Sequence, residues 1–234
     1  MPRSPDKNEE LREHRKRQIL DAALNVYIRF GFHGADMDVV AKEAGLAKGL
    51  VYYYYKTKKD LFTELYMWMY NEGISLSNTL LGRIDGKNPV EQLMCYTYNI
   101  FLVNDINPRM MQFAIRVPFD AYAIFGPEVW KDGVEKSDIH RRSLAKIIQE
   151  GIEQGLIPAT NPSSAANSFW SVFVANSFEY SKLMAGEHES PKKKLETFRD
   201  VVRFCFQGLG IEAAIWNHCL TEVIMQNEEG GCIL

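Results

Sequence analysis

Apolar residues recur at helical spacing along nearly the whole chain. Ile19, Ala22, Ala23, Val26 and Phe30 fall at i, i+3, i+4, i+7 and i+11, the buried stripe of an amphipathic helix. Gly31 follows the last of them, where a helix-ending glycine belongs. A second, short helix is predicted from Met37 to Ala44, with Asp36 as its N-cap and Gly45 as its breaker. A third runs from about Lys48 to near Tyr55. Thr57-Lys58-Lys59-Asp60 then reads as a capping box ahead of Leu61-Phe62 and opens a helix over 58–81.

Downstream, Pro and Gly punctuate the pattern at long intervals. Gly82 to Pro89 separates that helix from one over 90–104, and Asn107-Pro108 opens a segment that Pro118 interrupts. Gly126-Pro127 precedes an amphipathic helix ending between Glu150 and Gly155. Asn161-Pro162-Ser163 opens another, with Pro at its first position, running to about Gly186; Pro191 starts the next, which ends near Gly208-Leu209-Gly210. From Ile211 two readings stand open. Ala214, Ile215, His218 and Glu222 allow a helix, while Asn227 to Gly231 reads as a frayed tail. No stretch alternates as a strand does, and no internal repeat is present. The pattern predicts an all-α chain: a charged N-terminal arm (1–14), a three-helix head (15–60), a larger helical body (61–210) and a C-terminal extension (211–234).

Composition narrows the class. With 234 residues, 46% hydrophobic and 24% charged, the chain has enough apolar surface for a sizeable core and is neither disordered nor low in complexity. No apolar run approaches the ~20 residues of a spanning helix, and the charged start lacks the apolar stretch of a secretory signal. Cys95, Cys205, Cys219 and Cys232 show no CxxC spacing, and Cys232-Ile233-Leu234 is one residue short of a prenylation box. A soluble cytoplasmic protein with free thiols and no membrane partner is expected. The net charge of −3 conceals a basic head: residues 1–60 carry 12 Lys/Arg against 9 Asp/Glu, and residues 61–234 carry 15 against 21. A basic module on an acidic body suits a polyanionic partner.

The chemistry concentrates between Ala41 and Lys59. Ala41 is small enough for two helices to cross closely, Gly45 permits a tight turn, and Leu46 buries beneath the corner, which is helix-turn-helix geometry. Tyr52-Tyr53-Tyr54-Tyr55 follows. At ~100° per residue, four consecutive side chains sweep about 300°, so they cannot share one buried stripe. Val51 and Tyr55 can both face inward; Tyr52, Tyr53 and Tyr54 then fan over the other faces, flanked by Lys48, Lys56 and Lys58. Tyrosine offers phosphates a hydroxyl and thymine methyls an apolar surface. The alternative for these rings is packing within their own domain. Asp38, near the start of the second helix, either faces DNA, repelling phosphate or accepting from a cytosine amino group, or simply favours the helix N-terminus. Arg12, Arg15, Lys16 and Arg17 either track a phosphate strand or form a solvated arm.

These residues, ending GLAKGLVYYYYKTKKDLF, resemble the N-terminal DNA-binding module of TetR/AcrR-type transcriptional regulators over about residues 15–62. Gly49, Val51, Tyr52, Tyr53 and Tyr55 occupy that family's recognition-helix positions and Lys58 the lysine slot that follows them, with Tyr55 where Phe is usual and Ala47 where Ser or Thr often caps the helix. The resemblance implies a homodimer on a palindromic double-stranded DNA operator and, usually, repression relieved by a small ligand. It puts Lys48, Gly49 and Leu50 nearest base edges and Tyr52, Tyr53 and Lys58 on phosphates; Tyr54, from the exposed fan, and Arg15, from the basic run, complete the DNA-facing candidates.

In the body, aromatic and sulfur side chains suggest an adaptable apolar pocket, with Met67, Tyr70, Tyr98, Phe101, Phe113, Arg116 and Phe173 as candidates and ordinary core as the alternative. Asp120 and Glu179 also fall in this apolar context, where a mutual salt bridge with Arg116 competes with a ligand role. The expected effector is apolar or amphipathic: an aromatic compound, a drug or an acyl chain. The helices near 163–185 and 191–208 carry wide apolar faces. Trp170, Val174, Phe178, Phe198, Val202 and Phe206 are candidates for a four-helix dimer interface. No metal site is expected, because His14, His33, His140, His188 and His218 are far apart, and no cofactor or catalytic motif appears. A helical protein-binding adaptor and, more remotely, a helical enzyme are the competing classes; steep salt dependence of binding separates DNA from an apolar protein partner.

Overall fold

The computed structural model describes residues 5–84, 86–126, 139–183 and 191–228. All regular structure among them is helical: α1 (Pro5–Gly34), α2 (Met37–Ala44), α3 (Lys48–Tyr54), α4 (Lys58–Arg83), α5 (Pro89–Ile106), α6 (Pro108–Phe125), α7 (Ile139–Glu153), α8 (Pro162–Leu183), α9 (Pro191–Gly208) and α10 (Ala213–Glu228). The all-α expectation holds. Backbone contacts divide the chain into two compact units, residues 1–72 with 112–135 and residues 73–111 with 136–234.

In the first unit, Ile19, Ala22, Ala23 and Val26 of α1 are fully buried, as their spacing predicts. Phe30 departs from the stripe and is half exposed. The reason lies one residue on. Gly31 adopts φ 67° and ψ −178°, which breaks the helix, and a short turn continues to Gly34. Tyr27 takes the core position instead, against Phe62 (5.8 Å between ring centroids) and Phe113 of α6 (5.4 Å). α1 also starts earlier than the stripe suggests, so residues 5–14 continue the helix. Lys16 pairs with Glu64 of α4 at 3.3 Å, and the Arg17 guanidinium lies 4.0 Å over Trp68 and pairs with Glu72. The basic run thus ties α1 to α4 along one side. α6 runs on through Pro118 rather than stopping there. Pro118 takes one N–H out of the helical ladder, and the carbonyl that N–H would have paired with is that of Ala114, an exposed residue.

In the second unit α5 is central, buried on almost every face from Val90 to Phe101. Its start is fixed locally: Asn88 and Glu91 form a reciprocal capping box, with Pro89 at the first position. α7, α8 and α10 pack against α5, and α9 packs on α8. The extension left open by the sequence is therefore a helix with an inward side, Trp216, Cys219, Leu220 and Val223. At the centre, Ser77 lies 3.2 Å from the Tyr96 hydroxyl, which bonds His140 Nδ1 on α7; the imidazole stacks on Trp170 of α8 at 4.5 Å and 8°. Burial, with Arg141 adding to it, pushes the His140 imidazole down to about 4.

This packing corrects three interface candidates. Phe198, Val202 and Phe206 point into their own unit: Phe198 lies against Tyr98 (5.3 Å) and Phe101 (4.6 Å), Phe206 against Phe169 (5.7 Å), and Val202 has no exposure. The wide apolar face of α9 is what fills the core, and Phe204, 65% exposed, is the aromatic residue that looks outward. Trp170 is occupied by His140, Val174 is half-buried, and the side chain of Phe178 lies outside the described residues. The same contacts claim Tyr98 and Phe101, and Phe173 is buried, so these three candidates for the ligand pocket are core residues of the second unit. Met67, Tyr70, Phe113 and Arg116 fall in the first unit: Met67 is exposed, Tyr70 stacks on Tyr66, and Phe113 fills the space beside Tyr27. The side chain of Glu179 lies outside the described residues.

Candidate nucleic-acid interface

The site is built from α2, the turn after it, and α3. Asp36 caps α2 by accepting from the Asp38 N–H at 2.8 Å. At the other end Gly45 takes φ 65° and ψ 31°, the left-handed conformation glycine reaches without strain. The Leu46 N–H then reaches back to the Ala41 carbonyl at 2.9 Å, closing a tight corner with Val40, Ala41 and Ala44 buried beneath it. Ala47 begins α3 without any side-chain cap. Thr57 and Asp60 form the expected reciprocal box at the head of α4, with bonds of 3.1 and 3.0 Å.

Within this frame the four tyrosines divide as helical geometry requires. Val51 and Tyr55 are buried; Tyr53 is 70% exposed, Tyr52 is exposed and Tyr54 is half-buried. Tyr53 meets Tyr54 edge to face at 5.3 Å. Cations rim the outer rings: Lys48 Nζ lies 5.6 Å from the Tyr52 ring and Lys56 Nζ 5.9 Å from Tyr53. Gly49 is exposed at the front of α3, and a Cβ there would meet nothing within 4 Å. The chain's own packing therefore gives no reason for a glycine at this position. Leu50 is half-buried beside it.

Four candidates, Lys48, Asp38, Lys58 and Arg15, have internal partners as well. Lys48 Nζ bonds the Asp38 carboxylate at 2.6 and 2.7 Å, and this hydrogen bond holds the ammonium above its ordinary range. Both groups are exposed, so the pair joins the first turns of α2 and α3 on the open side of the corner. Lys58 Nζ donates to the His33 carbonyl at 3.2 Å and sits 4.7 Å from the Phe32 ring. A lysine has three protons, so two remain for a phosphate. Arg15 donates to Gln18 at 2.7 Å, and Gln18 in turn donates to the Ala44 carbonyl at the end of α2, also at 2.7 Å. Lys56, on the rim of Tyr53, is legible in the sequence only as a flanking lysine, and no sequence signal marks Gln18.

The Asp38–Lys48 pair yields a test. With Asp38→Asn the lysine loses its counter-charge while the amide keeps the cap region intact. The expected outcome is tighter binding to random-sequence duplex and a log–log salt slope steeper by about 0.9 for each lysine released onto phosphate. Fluorescence anisotropy at several salt concentrations reads both; unchanged random-duplex affinity would show that Asp38 does not restrain the lysine.

Comparison with known proteins agrees with this geometry. Residues 19–65 match the family described as bacterial regulatory proteins, tetR family. The HTH-type transcriptional regulator YhgD of Bacillus subtilis (strain 168) is 27% identical over 175 residues, 72% of this chain and 85% of its own. Among solved structures, a TetR-like transcriptional regulator from Rhodococcus sp. RHA1 superposes with TM-score 0.63 at 21% identity, over 90% of this chain and 98% of its own. AibR, solved in complex with isovaleryl coenzyme A and operator DNA, superposes with TM-score 0.61 at 20% identity, over 85% and 100%. No described helix is long and apolar enough to cross a membrane. The matched relatives are regulators of transcription, and residues 19–65, which hold the exposed aromatic helix α3, are the part of this chain that matches the tetR family, while the chain as a whole is similar to such regulators in fold.

Proposed function

We propose that the protein is a ligand-released repressor that engages a palindromic operator as a homodimer. The observation that carries this reading is the outward face of α3, where Tyr52 and Tyr53 stand exposed between Lys48 and Lys56 while Val51 and Tyr55 anchor the helix from behind. Lys48, Gly49 and Leu50 approach base edges; Tyr52, Tyr53, Tyr54 and Lys58 take the backbone, and the first turn of α4 adds its dipole. Arg15 extends the contact from α1.

One recognition helix covers too little surface for useful specificity, so two are required, ~34 Å or a multiple of that apart. The outward sides of α8 and α9 supply the dimer contact: Ser164, Ala165, Ser168 and Val172 line an open groove with Phe204 and Gly208, small residues beside a protruding aromatic one. The effector is apolar or amphipathic. The isovaleryl coenzyme A of AibR, a protein of the same fold, supports an acyl compound within that class.

The experiment is recovery of genomic fragments bound by the full chain, followed by native mass spectrometry with isovaleryl coenzyme A, free fatty acids and aromatic drugs as probes. Expected are an inverted repeat bound by two chains and release of that DNA by an apolar probe. Binding by one chain, or ligands that are polar only, contradicts the reading.

A further inference from the structure

The break in α1 at Gly31 separates two backbone groups that an unbroken helix would pair with each other, the Ile28 carbonyl and the Phe32 N–H. Neither is left open. Arg116 Nη1 of α6 donates to the Ile28 carbonyl at 2.8 Å, and Asp120 Oδ2 of the same helix accepts from the Phe32 N–H at 3.2 Å. The two side chains lie one turn apart, at i and i+4, with Arg116 Nε 3.8 Å from Asp120 Oδ2. An ion pair has replaced one helical hydrogen bond. Gly31 fits the arrangement twice over: its φ of 67° disfavours a side chain, and a Cβ would come within 2.8 Å of Arg116 Nη2. Beneath the pair, the Tyr27 ring is fully buried, and burial with the Asp120 carboxylate beside it holds the phenol far above its ordinary range.

The short turn beyond the break carries the consequence. Its Phe32 ring and His33 carbonyl are the two groups that meet Lys58 Nζ at the head of α4. Phe32 is held from one side by Asp120 and from another by Phe62, edge to face at 5.5 Å. The geometry points to Arg116 and Asp120 as positioning residues for DNA binding: the pair bridges the break in α1 and so fixes the turn that aims Lys58 at the phosphate backbone. Arg116 is thereby moved from a ligand-orienting role to one inside the head's own unit.

This inference rests on the reading of Lys58 as a phosphate contact, and the test separates the two. Operator affinity and its salt slope are measured on the full chain for Lys58→Ala, Asp120→Ala, the double variant and Asp120→Asn. Lys58→Ala is expected to weaken binding about tenfold and to flatten the slope by about 0.9 per protomer. Asp120→Ala should reproduce both changes, and the double variant should be no worse than either single one, because one contact is lost in each case. Asp120→Asn keeps an acceptor for the Phe32 N–H and should stay within about threefold of the parent protein. A loss of general stability would not move the salt slope. Asp120→Ala with parental affinity, or a double variant equal to the product of the singles, overturns the positioning role.

A normal Lys58→Ala protein overturns the phosphate contact instead, and amide exchange on the free chain then judges the bridge alone. The Phe32 N–H should be protected and should exchange at least about tenfold faster in Asp120→Ala or, should that variant not fold, in Asp120→Leu, which also lacks an acceptor. Equal exchange rates overturn the bridge.

Discussion

Tyr53→Ala should lower operator affinity on the order of a hundredfold while leaving thermal stability within experimental error. The ring is 70% exposed on α3 and its internal contacts are the edge of Tyr54 and the Lys56 ammonium, so truncation removes little from the fold. What it removes from the complex is a hydroxyl donor for phosphate and an apolar surface, a loss of about 1–2 kcal/mol at each half-site. A dimer suffers it twice, and each 1.4 kcal/mol is about tenfold. Tyr53→Phe separates the two contributions: it should recover the part owed to the ring and lack the part owed to the hydroxyl. Anisotropy titrations paired with thermal melts read the outcome, and a folded Tyr53→Ala protein with parental affinity removes this residue from the interface.

The second large effect concerns pH. In the second unit, Tyr96 bonds Nδ1 of a His140 ring pressed on Trp170, and burial pushes that imidazole down to about 4 from an ordinary 6.5. Between those values the unfolded chain binds a proton that the folded chain refuses, so stability is complete above pH 6.5 and is lost as the pH falls toward 4. The loss amounts to about 3 kcal/mol. His140→Gln retains an acceptor for the Tyr96 hydroxyl but does not titrate. Urea unfolding at pH 7 and pH 4.5, which spans most of that range, should show a smaller drop for the variant than for the parent protein by about 2.5 kcal/mol. Equal drops would mean that the histidine is not held neutral in the folded chain.

What was legible in the sequence was what adjacent residues decide. The inward placement of Val51 and Tyr55 follows from four-residue spacing on one helix, and the Gly45 corner, the Asp36 cap and the Thr57–Asp60 box each close within a few positions. Phe30 was misread because a stripe assumes an unbroken helix, and the break at Gly31 passes the core position to Tyr27. Phe198, Val202 and Phe206 form a real apolar face, but periodicity does not say whether the chain's own core or a partner covers it; here Tyr98, Phe101 and Phe169 do. Arg116 and Asp120 stood out as charges in an apolar stretch. Their backbone partners lie 88 residues earlier, beyond any local pattern.

Replacing Tyr53 with a photoreactive benzoyl-phenylalanine tests most directly whether α3 is the surface that grips DNA. Irradiation in the presence of the recovered operator should attach the chain to the duplex within the protected half-sites, and the yield should collapse at high salt. Attachment only to protein, or a yield indifferent to salt, would contradict the account.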